Sequence, residues 1–121
     1  MKEHKAADIL RSARDRLSEP AAWVQGFFAK DAHGDWVRAT DPGARCWCDD
    51  GAIIAEQGAA GAWPNTMVGG TPSLWLSTAA KALGFPTASL LNDAPHTKHE
   101  HVLALFDFAI RLAEAASEVP S

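Results

Sequence analysis

Apolar residues recur at helical spacing from Lys5 to Leu17, with Ala6, Ile9, Leu10, Ala13 and Leu17 on one side. Arg11, Arg14, Asp15 and Arg16 fall on the other side, the pattern of an amphipathic helix. Pro20 ends it. The period then changes. Trp23-Val-Gln-Gly-Phe-Phe-Ala-Lys and Trp36-Val-Arg-Ala-Thr are short aromatic runs separated by Asp31-Ala-His-Gly-Asp. They read as a β-hairpin. A lone hairpin is marginal in water, so it must lie against the helices or another strand. Asp41-Pro42-Gly43 marks a turn.

A second helix is expected to begin between Ala44 and Cys48, run to about Gln57 and stop at Gly58. Its projection puts Cys48, Gly51, Ala52 and Ala55 on one face, a small-residue stripe that another helix could approach closely. Gly51 inside a helix costs about 1 kcal/mol relative to Ala, which close packing would justify. Residues 58–70 are weakly patterned and read mostly as loop. Thr71 and Pro72 then supply an N-cap and a first helical residue. Leu76, Ala79, Ala80 and Leu83 form the buried line of that helix, and Gly84 stops it. Phe85 is expected to fold back over the last turn, and Pro86 prevents continuation.

In the last segment Thr97 and Glu100 spell a capping box ahead of a broad apolar arc. The arc holds Val102, Leu105, Phe106, Ala109, Ile110, Leu112 and Ala113, with Asp107, Arg111 and Glu114 opposite. A helix over roughly 97–117 follows. The elements together predict an α+β fold, mainly α. About four helices surround one core, with a small β-hairpin after the first helix, in a single domain over residues 1–121.

Composition narrows the classes of function. The apolar share of 47% and charged share of 21% are those of a globular protein. A net charge of -4 lacks the basic face that a nucleic-acid partner requires. No apolar run approaches the roughly 18 residues of a membrane helix. The N-terminus lacks the apolar stretch of a secretory signal, so a cytoplasmic location is expected. Cys46 and Cys48 are one residue apart, a spacing that favours reduced thiols. Five Trp and five Phe with no Tyr is an unusual mix. Trp is costly to expose, so these rings should be packed or held for a partner.

Three marks resemble one family. They are Trp23-x-Gln25-Gly26 after the first helix, Cys48-x-x-Gly51-Ala52 opening the second, and Asn92-Asp93-x-Pro95-x-Thr97 before the last. Val102, Phe106, Ala109 and Ile110 on the last helix belong to the same pattern. The chain resembles, over about residues 5–115, a family of small uncharacterised proteins from bacteria and their phages. The resemblance implies a small, mostly helical domain with no assigned reaction.

The candidate chemistry divides between functional and structural readings. Cys48 in a first helical turn could be an activated nucleophile. Asp49 and Asp50 beside it oppose a thiolate, and the packing face claims the side chain as core. Asn92 and Asp93 with His96 could form an acid–base pair, or simply a turn, since Asn and Asp hydrogen-bond their own backbone. Asp49 and Asp50 could hold a cation or complement the helix dipole. His96, His99 and His101 with the two cysteines do not match zinc spacing. On a helix His99 and His101 would point about 200° apart. Neither a metal nor a cofactor is expected. Gly69-Gly70-Thr71 lacks the Lys of a phosphate loop.

The expected function is therefore a non-enzymatic interaction or regulatory module. It would present a surface including Trp36, Trp63 and Trp75 to a protein partner or a second copy. A small hydrolase or transferase, with its site near Asn92, Asp93, His96 and Cys48, is the alternative. Neither a nucleic acid nor a membrane is an expected partner.

Overall fold

The C-terminal apolar arc organises the core. A computed structural model of the chain describes residues 4–61 and 67–118. Helix α5 (His99–Glu118) buries Val102, Leu105, Phe106, Ala109, Ile110 and Ala113. It packs against α1 (Ala6–Arg16) and α3 (Pro72–Ala82). Each fully buried Leu or Phe on these faces contributes about 1.5–3 kcal/mol. Ala6, Ile9, Leu10, Ala13 and Leu17 are all buried, as the helical period of α1 predicts. Helix α2 (Asp49–Ala60) packs on α1 through Ala52 and Ile53. A six-residue helix, α4 (Ala88–Asp93), touches α2 and α3 and buries Ala88 and Leu91.

The fold is thus α+β and mainly α, with five α-helices among the described residues. Strands β2 (Ala29–Asp31) and β3 (Trp36–Val37) form the expected hairpin after α1. A third strand, β4 (Ala44–Trp47), pairs antiparallel with the other edge of β2. In addition β1 (His4–Lys5) pairs in parallel with β5 (Met67–Val68). Among the described residues no helix is long and apolar enough to cross a membrane.

Several boundaries differ from the sequence expectation. Residues 44–47 are extended, because β2 offers them backbone partners, so α2 begins only at Asp49. It also runs past Gly58 to Ala60, and Gly61 (φ 65°) is its left-handed stop. Leu83 is the C-cap of α3 and is exposed rather than buried. Thr71 caps α3 and Phe85 N donates back to Ala80 O (2.9 Å), both as expected. The capping box does not form. Thr97 Oγ1 instead donates to Leu91 O (2.6 Å), a terminal carbonyl of α4 that the sequence did not reveal. His101 Nδ1 accepts from Lys98 N (2.9 Å) at the start of α5. Within 58–70, residues 58–60 are helical and Met67–Val68 is a strand, while Trp63 lies outside the described residues.

Candidate functional site

The polar marks of the sequence meet at the end of α4. Asn92 is fully buried and uses the whole hydrogen-bonding capacity of its amide. Its Oδ1 accepts from Trp23 Nε1 (2.7 Å) and from Asp49 N (3.1 Å). Its Nδ2 donates to Val24 O (3.2 Å) and to Asp93 Oδ1 (2.9 Å). A short helix leaves its last carbonyls without intrahelical partners. Gln25 Nε2 satisfies two of these, Asn92 O (2.8 Å) and Ala94 O (3.0 Å). Gly26 N donates to Asp93 Oδ1 (2.9 Å). Residues 23–26 are therefore tied to 92–94 along their whole length. Asn92 and Asp93 are the last residues of α4 and not a separate turn.

The start of α2 completes the arrangement. Cys48 is its N-cap, and its Sγ accepts from Gly51 N (3.2 Å). Cys48 N donates to Phe28 O (3.1 Å), which lays residues 26–28 across the helix start. A Cβ on Gly51 would stand 2.1 Å from Phe28 O, so no other residue fits there without displacing that backbone. The small-residue stripe thus receives the backbone of Phe28 at Gly51 as well as helix α1 at Ala52. Burial first, and then the charges of Asp49, Asp50 and Asp93, push the Cys48 thiol up to about 12. A thiol so placed is not an activated nucleophile. Both cysteines are free.

Asp49 is the one charged-type side chain fully buried here. Its Oδ1 accepts from Asp50 N (2.7 Å), whereas Oδ2 has no hydrogen-bond partner. Burial, reinforced by Asp50 and Asp93, holds this carboxyl well above the usual carboxylate range. Beside it lies a cavity of about 130 Å³. Gly26, Phe27 and Phe28 line one side, with Cys48 and Asp49 from α2 and Ser89, Asn92 and Asp93 from α4. Ser89 Oγ donates to Asp50 Oδ2 (2.7 Å).

The same segment carries an aromatic surface. Phe27, Phe28 and Trp36 are 48%, 42% and 47% exposed. Their rings touch in sequence, Phe27 with Phe28 at 5.3 Å and with Trp36 at 5.5 Å. The Lys30 ammonium stands 4.2 Å from the Trp36 ring centroid. Trp36 also lies over Gly26, which has φ 102° and no side chain to obstruct it. Surface and cavity therefore share Gly26, Phe27 and Phe28.

Residues 1–112 match the model of a family of unknown function (DUF6197). The chain belongs to DUF6197. The matched range includes all three segments that meet at Asn92. No curated protein and no solved structure is detectably similar to the chain.

This DUF6197 chain separates several candidates that are close in sequence. Asp93 borders the polar cavity. His96 instead lines a different, largely apolar groove of about 470 Å³ with Leu83, Phe85, Leu91 and His101. His99 Nε2 donates to Leu17 O (2.5 Å), and His101 is engaged at its own helix start. Among the described residues no group of three His, Cys, Asp or Glu is placed to hold a metal ion. Trp75 is half-buried against the core, and its Nε1 donates to Gly69 O. Phe27 and Phe28 carry no functional reading in the sequence, whereas Asp49 reads there as a cation ligand or a partner of the helix dipole. The adjacent Phe pair beside Trp36 was the available signal. Nothing in the sequence reveals the burial of Asp49.

Proposed function

We propose that this chain is a non-enzymatic protein-binding module that acts through Phe27, Phe28 and Trp36. The supporting observation is their mutual contact while each stays more than two-fifths exposed. Contiguous exposed aromatic surface is unfavourable in a monomer and typical of interface centres. The backbone beneath is tied down at Gly26 by Asp93 and at Phe28 by Cys48, so the rings are presented by a preorganised segment. Preorganisation lowers the ordering cost of binding. The raised Cys48 thiol and the separation of Asp93 and His96 into different cavities weigh against a catalytic reading. One version, drawn from the resemblance to bacterial and phage proteins, is an accessory in phage–host conflict acting in the cytoplasm.

The test is a displayed-peptide selection on the purified chain, repeated with Trp36→Ser and Phe27→Ser. The proposal expects peptides that bind the native chain and lose at least tenfold in affinity on either variant. Peptides indifferent to both substitutions would contradict it.

A further inference from the structure

We propose that the cavity beside the aromatic surface receives the guanidinium head of an arginine carried by the protein partner. The inference rests on the protein-binding reading and adds the chemistry of the partner. Size is the first argument. A volume of about 130 Å³ holds roughly four waters at about 30 Å³ each. That is well below the roughly 300–1,000 Å³ of a metabolite site. It suits the tip of a side chain.

The lining is the second argument. Asp49 and Asp93 border the cavity, and Asp50 accepts from Ser89, which lines it. Among its described lining residues there is no Lys, Arg or His. Acidity alone would not make a site. The independent observation is Asp49 Oδ2, a fully buried carboxyl oxygen without a partner. Leaving such an atom unsatisfied costs about 1–3 kcal/mol. A guanidinium brings five N–H donors in a planar fork and matches carboxyl oxygens better than an ammonium.

The remaining wall is aromatic. Phe27 and Phe28 are among the lining residues, and arginine stacks on aromatic rings. Lys30 is occupied over Trp36 and does not line the cavity. The geometry does not favour a divalent cation, because no three ligating side chains converge there among the described residues.

The probe is Nα-acetyl-arginine methylamide, titrated into the ¹⁵N-labelled chain and followed by amide shifts. Its citrulline analogue, which keeps the shape without the charge, and magnesium chloride are the comparators. The expected result is saturable shifts at Gly26, Phe27, Ser89 and Asp93, with citrulline at least tenfold weaker. Asp93→Asn keeps the oxygen that accepts from Gly26 N, so the fold is retained while arginine binding falls at least fivefold. Ser89→Arg, which supplies its own guanidinium from an exposed position, abolishes binding. Equal binding of citrulline, shifts elsewhere, or saturation of these amides by magnesium alone would overturn the inference. Displayed peptides that need Trp36 and Phe27 but bind Asp93→Asn unchanged would leave the protein-binding reading standing and sink this one. Arginine binding without any Trp36-dependent peptide would do the reverse, leaving a guanidinium site without a protein-binding surface.

Discussion

Trp23 Nε1 donates to Asn92 Oδ1 at 2.7 Å across 69 positions of sequence, and this bond joins the strand-like entry of the hairpin to the end of α4. The same oxygen accepts from Asp49 N, so one amide holds three segments together. The aromatic surface depends on that junction, because residues 26–28 leave it directly.

Asn92→Ala should therefore be severely destabilising. It leaves Trp23 Nε1, Asp49 N and Val24 O without their side-chain partner, at about 1–3 kcal/mol for each buried group. A loss of at least about 3 kcal/mol in urea unfolding is expected. Trp23→Phe removes one of the four bonds and should cost nearer about 1 kcal/mol. A loss below about 1 kcal/mol for Asn92→Ala would show that the junction is not structural.

Gly51→Ala separates propensity from packing. In an open helix the change would stabilise by about 1 kcal/mol. Here the new Cβ would stand 2.1 Å from Phe28 O, so the hairpin backbone must shift. The expected outcome is a loss of several kcal/mol, on the order of the largest single-site effects. A higher melting temperature would contradict the placement of Phe28 over α2.

Much of this architecture was legible in the sequence, and the failures share a cause. The periods of α1, α3 and α5 identified Leu10, Leu76 and Phe106 as core because a helix face is a local property. Residues 44–47 become a strand only because β2 lies beside them, a relation between distant segments. Thr97 has the spacing of a capping box, yet its hydroxyl goes to Leu91 O of the unforeseen α4. The small-residue stripe of α2 signalled the close approach of another helix, which α1 makes at Ala52, but not that of the Phe28 backbone at Gly51. The site was legible as marks at Trp23, Cys48 and Asn92, and not as one junction.

Asp49 makes stability depend on pH. Its folded value lies above the ordinary unfolded value of about 3.9. The folded chain keeps a proton that the unfolded chain releases, so this contribution is complete below pH 4 and declines as pH rises toward the folded value. Asp49→Asn has no such proton. The stability of the variant relative to the native chain should rise from pH 4 to pH 7, by at most about 1.4 kcal/mol per pH unit. The ion pairs Arg14–Asp107 and Arg16–Glu56 are common to both and cancel in the difference. A difference independent of pH would mean that Asp49 is ionised in the folded state.

Cys48 should resist alkylation. With its thiol pushed up to about 12 and buried, iodoacetamide at pH 8 should modify the half-buried Cys46 at least tenfold faster. Peptide mass spectrometry of the native chain reads the two sites separately. Preferential labelling of Cys48 would restore the nucleophile reading.

The most direct test of the interaction surface is amide-shift mapping of the ¹⁵N-labelled chain with the tightest displayed peptide. Perturbations centred on residues 26–30, Trp36 and 89–93 are predicted, and they should disappear in Trp36→Ser. Perturbations centred on the apolar groove of Leu83, Phe85 and His96 would place the interaction elsewhere and contradict the account.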